Sequence, residues 1–236
     1  MHNVQIIRTS EALDPSDTYI FGISPHGVLN LSRLALCGGV WEQLFPGIDY
    51  RALVPSLMFR LPICRELYLA MGAVDSKQAT AERLLKKGTS LVIWPGGVKE
   101  VYESRLSTIF TNIVLHSRQG MFELAIRQGA SLVPVAVFGE RYCYKVAPLP
   151  SFFVKVFEHF SSIPFLIFWG KWLFWMPLER DIAVVFGEPI AVQQKDEPTE
   201  EDIIALQRRY MEQLRLLYDT YKGCIERCKA ELLVIK

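Results

Sequence analysis

The sequence predicts an α/β fold, a single domain built on a central, largely parallel sheet flanked by helices. Three observations predict it. Short β-rich apolar runs alternate along the chain with segments of helical periodicity, the arrangement that crossover helices over a parallel sheet produce. Several of these runs are continuously apolar, as strands covered on both faces must be. No repeat, low-complexity tract or charged linker divides the chain, so one domain is expected over residues 1–236.

Each element follows from a local signal. Residues 18–23 form a β-rich run that ends at the turn Ser24, Pro25, His26, Gly27. Val28, Leu31, Leu34, Ala35 and Trp41 then fall at helical spacing. A second apolar helix is expected over 56–71 with a break near Pro62. A third spans 75–87, with Asp75 and Gln78 at capping-box spacing and Gly88 as its stop. Residues 89–94 read as a buried strand, followed by a loop from Pro95 through Gly96, Gly97, Val98 and Lys99 to Glu100. A helix over 118–128 stops at Gly129, and a buried strand follows over 131–138. A short strand is expected at 181–186. Pro198 and Thr199 with Asp202 then open a long helix whose stripe is Ile203, Leu206, Tyr210, Leu214, Leu217 and Tyr221.

Residues 152–178 stand apart in composition. The stretch is dense in Phe and Trp, but Lys155, Glu158 and Lys171 interrupt it and Pro164 breaks it. A membrane-spanning helix needs about 20 predominantly apolar residues, and 163–178 is shorter and contains Lys171. Two readings stay open: an amphipathic, Trp-rich surface lying among lipid headgroups, or aromatic core beneath a long connection.

Composition narrows the function. Half of the residues are hydrophobic and mean hydropathy is +0.19, which suits a protein that handles something apolar. Lys and Arg total 26 against 25 Asp and Glu, without the basic excess that a nucleic-acid backbone demands. The five cysteines are scattered and no secretory leader precedes them, so a reduced, cytosol-facing chain is expected. Cys224 and Cys228, four apart on a predicted helix, lack further ligands for zinc. The nucleophile elbow of α/β-hydrolases, the phosphate loop of nucleotide hydrolases and the dinucleotide glycine fingerprint are all missing.

His26 is the residue most suited to chemistry. It sits where a buried strand hands over to a helix, the place where open α/β sheets meet ligands. A nearby helix N-terminus disfavours imidazolium, leaving a neutral, proton-accepting ring, and Gly27 allows close backbone approach. A plain turn or capping role for His26 is the competing reading. Gly96 and Gly97 would lie beside this turn if their strands are neighbours, offering backbone N–H groups to an oxyanion. Glu100 would orient the imidazole, and Lys99 and Arg118 would meet phosphate, against the alternative of ordinary solvated charges.

Taken in order, the pieces resemble the type-2 diacylglycerol and monoacylglycerol acyltransferase family, related to the wider glycerolipid acyltransferases. The matching residues are Tyr19 to Gly22 with Pro25, His26 and Gly27; Phe45, Pro46 and Gly47; Arg65 and Glu66; and Gly96 and Gly97 through Glu100. Further on come Arg118, Gln119 and Gly120, the run from Leu124 to Ala130 leading to Leu132, Val133, Pro134 and Val135, then Phe138, Gly139 and Glu140, Gly187 to Ile190, and Pro198 with Thr199. The resemblance implies a glycerolipid-acyltransferase-like fold and an O-acyltransferase that esterifies diacylglycerol from acyl-coenzyme A. His26 would then be the general base and Glu100 the acidic partner that orients His26 or the acceptor. Gly27, Gly96, Gly97, Lys99 and Arg118 would bind substrate, and neither metal nor cofactor would be needed. Monoacylglycerol or a fatty alcohol is the alternative acceptor, and a silent lipid-binding protein the alternative role. The resemblance also implies the cytosolic face of the endoplasmic reticulum membrane or a lipid droplet, a membrane surface as partner, and is compatible with a homo-oligomer.

Departures from the family pattern are specific. The family reads His-Pro-His-Gly where this chain has Ser24 before Pro25, and the Asp that the wider superfamily places five positions after its histidine is Leu31 here. The family's N-terminal hydrophobic hairpin does not precede the first strand, leaving either a truncated chain or attachment through other surfaces, with 152–178 the candidate.

Overall fold

Strand β2 (Tyr19–Ser24) runs through the middle of a seven-stranded sheet, and every one of its residues is buried. The computed structural model describes residues 3–97, 100–101, 110–147, 167–172 and 176–236. Across the sheet the order is β1 (Val4–Arg8), β10 (Ile182–Phe186), β7 (Ser131–Phe138), β2, β5 (Ser90–Ile93), β3 (Tyr50–Val54) and β4 (Ala73–Asp75). All neighbours are parallel except β10 and β7. The largely parallel α/β sheet expected from the alternation of elements is what the chain adopts.

Burial on both faces explains the continuous apolar runs. Ile20, Leu91, Leu132 and Ala136 pack on one side with Ala81 and Leu85 of α4 (Gln78–Leu85), Phe122 and Ala125 of α5 (Gly120–Gln128), and Leu206, Tyr210 and Leu214 of α6 (Glu200–Tyr221). Phe21, Ile23, Val92, Val133 and Val135 face the other way. There they meet Leu36, Phe45 and Trp41, whose ring stands edge-on to Phe21 at 4.9 Å. Alternation along each strand thus feeds two cores at once. Helix α6 starts at the capping box read from Thr199 and Asp202, and α5 ends at Gly129 with φ +65°, where only glycine is unstrained.

Several expectations need correction. The helix anticipated after His26 is two short ones, α1 (Leu31–Ala35) and α2 (Val40–Leu44), parted by Gly38 and Gly39 at φ +71° and +87°. The expected helix over 56–71 is a 3-10 turn, Ser56–Phe59, followed by α3 (Cys64–Ala70), with its break around Pro62. Asp75 does not cap α4; it ends β4, and its carboxylate takes the Lys77 N–H at 3.0 Å and the Ser56 hydroxyl at 2.8 Å. Cys224 and Cys228 fall in two successive 3-10 turns rather than on one helix.

Among the described residues, four strands lie outside the main sheet. β6 (Phe110–Ile113) pairs in parallel with β11 (Leu232–Ile235), and β8 (Lys145–Val146) pairs antiparallel with β9 (Phe168–Trp169). Most of 152–178 lies outside the described residues; in the part that is described, Trp169 and Trp172 are exposed. Among the described residues no helix is long and apolar enough to cross a membrane.

Candidate active site

Parallel pairing of β2 with β5 sets Gly22 against Ile93, so the turns that follow the two strands leave the sheet side by side. Beyond the C-terminal ends of β2, β3 and β5 opens a cavity of about 590 Å3. His26 lines it from the first turn, Trp94 and Gly97 from the second, Val54 from the end of β3, and Arg118 from the approach to α5. This is the position at which α/β sheets bind ligands. The sequence elements suspected separately, the His26 turn and the diglycine bend, therefore share one wall.

The His26 turn is held from below by two buried carboxylates. Glu100, fully shielded from solvent, accepts the backbone N–H of His26 at 2.7 Å and that of Val114 at 3.0 Å. Glu140, 4% exposed, accepts the N–H groups of Leu31 and Ser32 at 2.9 and 3.2 Å, closing the start of α1 from 109 residues away. Burial raises the pKa of Glu140. The glycines beside them are explained by these acids. A Cβ on Gly96 would fall 1.8 Å from Glu100 Oε1, and one on Gly27 would fall 2.1 Å from Glu140 Oε1.

These contacts revise the sequence-based roles. Glu100 grips the main chain of His26 rather than its ring, so it positions the turn. The ring's Nδ1 is buried without a partner, and Nε2 lies 3.4 Å from the amide nitrogen of Asn30. Gly27 and Gly96 make room for the two carboxylates instead of facing the cavity. Gly97 does face it, but its N–H already closes the turn onto the Trp94 carbonyl at 3.2 Å. Lys99 lies outside the described residues. Arg118 lines the cavity, half-buried, and its Nε has no partner.

A neutral imidazole results, for a different reason from the one anticipated. The first N–H groups of α1 are occupied by Glu140, so the helix end is not what discourages the cation. Burial does, depressing the pKa of His26 to about 4. A ring that is uncharged at neutral pH and open to the cavity can accept a proton there. Among the described residues no three His, Cys, Asp or Glu side chains gather as they would to hold a metal ion.

Sequence reasoning missed Asn30, Arg33 and the role of Glu140. Asn30 sits in the left-handed region at φ +46°, which asparagine tolerates better than most residues, and this brings its amide to His26. Arg33 interrupts the apolar spacing of Leu31, Leu34 and Ala35, the one hint the sequence held.

In fold the chain is similar to the crystal structure of the 1-acyl-sn-glycerophosphate acyltransferase PlsC from Thermotoga maritima. The TM-score is 0.53 at 14% identity, over 93% of this chain and 72% of that one. Residues 2–236 match the diacylglycerol acyltransferase family. Diacylglycerol O-acyltransferase 2B of Umbelopsis ramanniana is 33% identical over 93% of this chain and 67% of its own length. Human 2-acylglycerol O-acyltransferase 1 is 32% identical over 99% of this chain and 73% of its own. Human diacylglycerol O-acyltransferase 2 is also 32% identical, with the match spanning 93% of this chain and 60% of the human protein. The protein is an α/β acyltransferase. More closely, it belongs to the diacylglycerol acyltransferase family.

Proposed function

We propose that the protein moves an acyl group from acyl-coenzyme A to the free hydroxyl of diacylglycerol, yielding triacylglycerol, with His26 as the general base. The observation that carries this reading is a neutral imidazole on the wall of a cavity whose other walls include Leu53, Met58, Ile93, Met121 and Leu124. Such walls suit an acyl chain, and the ring suits a hydroxyl. His26 takes the hydroxyl proton as the oxygen attacks the thioester carbonyl. The tetrahedral adduct then expels coenzyme A as its thiolate, which takes up the proton held by the imidazolium. Asn30, beside Nε2, orients the ring, and Glu100 anchors its backbone without touching the reacting atoms. Monoacylglycerol is the second reading for the acceptor, supported by the human relative named 2-acylglycerol O-acyltransferase 1, at 32% the same identity as human diacylglycerol O-acyltransferase 2.

The reaction takes place at a lipid surface, for which the endoplasmic reticulum membrane or a lipid droplet is our proposal. Leu34, Ile63, Leu67 and Leu69 are exposed on and beside α1 and α3, the helices that bring Arg33 and Tyr68 to the cavity. Purified protein in detergent, given labelled acyl-coenzyme A and a panel of acceptors, should form triacylglycerol fastest from diacylglycerol. A His26→Ala variant that makes the same ester at the wild-type rate would remove His26 from the scheme.

A further inference from the structure

Arg33 is 4% exposed and forms part of the same cavity wall as His26. Its guanidinium lies 5.1 Å from the centre of the Tyr68 ring and donates one long hydrogen bond, 3.4 Å, to the Met71 carbonyl. Burial lowers its pKa, and the groups that counter this are phenols and a thiol rather than a carboxylate. A guanidinium carries five N–H donors in a planar fork, so most of this one's capacity is unused. Burying an unpaired charge is costly, and a tyrosine face supplies only part of what water gave.

The rest of the cavity does not balance this charge. Arg118 adds a second guanidinium whose Nε is buried without a partner. The carboxylate on the wall, Glu123, is held by Arg127 at 2.9 Å. Two cations thus face a largely apolar enclosure that lacks an available anion among the described residues.

We propose that Arg33 is the seat of an anion subsite inside this cavity, taking phosphate oxygens of a substrate through the unused donors of its fork. Tyr68 holds the guanidinium plane so that the fork needs little reordering when the anion arrives. Phosphate fits a planar fork through two parallel bonds. The subsite rests on the acyl-transfer reading above, in which the coenzyme A portion of the donor carries the phosphate; a phosphate-bearing acceptor in place of diacylglycerol is the other source the test separates.

Calorimetry on the purified full chain in detergent distinguishes them. Coenzyme A, a monoacylglycerol phosphate and the matching neutral monoacylglycerol are titrated into wild type, Arg33→Met and Arg33→Lys. Arg33→Met should weaken binding of the phosphate ligand about 10- to 100-fold, as loss of a charged hydrogen bond does, and leave the neutral lipid within about 2-fold. Arg33→Lys, which keeps charge without the fork, should fall between. A loss confined to coenzyme A puts the phosphate on the donor; a loss confined to the monoacylglycerol phosphate puts it on the acceptor. Equal affinities across the three proteins, or a wild type that binds neither phosphate ligand, overturn the subsite. If Arg33→Met does not fold, Arg33→Lys decides alone, and an unchanged affinity there overturns it equally. Ester synthesis that fails while phosphate binding depends on Arg33 counts against the acyl-transfer scheme and not against the subsite.

Discussion

The Glu100 carboxylate accepts the main-chain N–H of His26 at 2.7 Å, joining residues 74 apart in sequence. The same carboxylate holds Val114 N–H through its other oxygen at 3.0 Å. Glu100→Gln offers one acceptor oxygen where two are used and turns an amide N–H2 toward a backbone donor. We expect kcat to fall about 10- to 100-fold with KM little changed, and stability to drop by about 1–3 kcal/mol. Steady-state kinetics beside thermal melts check this. A parallel rise in KM would point to collapse of the cavity instead of a shifted histidine.

Glycine substitutions test the packing that admits the two acids. Gly96→Ala drives a methyl into Glu100, with 1.8 Å to its Oε1, and should cost about 1–3 kcal/mol or more, as overpacking does. Gly120→Ala is the contrast, because a Cβ there meets nothing within 4 Å and the residue opens a helix. It should be neutral or stabilising by up to about 1 kcal/mol. Denaturant melts of the two variants should move in opposite directions.

The depressed pKa of His26 sets two pH dependences. If His26 is the base proposed above, kcat/KM should stay flat on the acid side until about pH 4, well below the 6.5 of an ordinary histidine. Stability follows the same group with a definite sign. Between about pH 6.5 and 4 the unfolded chain binds the proton and the folded one does not, so acidification favours unfolding by about 3 kcal/mol in all. Glu140, whose pKa is raised, pulls the opposite way. The difference between wild-type and His26→Gln melts across this range therefore isolates the histidine, and a difference that stays constant with pH would contradict its burial.

Asn30→Gly removes the amide near Nε2 while preserving the backbone, since glycine is at ease at φ +46°. The expected result is a loss of about 3- to 10-fold in kcat, the size of one weak orienting hydrogen bond, with melting little altered. A larger drop in stability than in rate would make Asn30 a structural cap alone.

What was legible in the sequence follows from range. β2, β7, β10 and α6 were readable because each is announced by its own residues: apolar runs buried on both faces, and the reciprocal cap of Thr199 with Asp202. β1, β3, β4, β6 and β11 carry no such local signal. β3 opens on Tyr50 and Arg51 and β4 has three residues, so neither shows a period of its own; partners in the sheet make them strands. The histidine turn was found from its place after β2. Glu100 is legible as its partner from its place after the diglycine bend, but Glu140 is not, since its bonds to Leu31 and Ser32 cross 109 and 108 residues and nothing local at position 140 reveals them. Arg33 reads as an ordinary surface cation until α3 is folded over it.

Because Glu100 and Glu140 reach back to the segment 26–32, the His26 turn is assembled from three distant stretches of chain. A ribosome must release everything through Glu140 before both clamps can close. Until then the emerging polypeptide holds a histidine on an unbraced loop, and that loop is braced from both sides only once β7, which leads into Glu140, has docked beside β2.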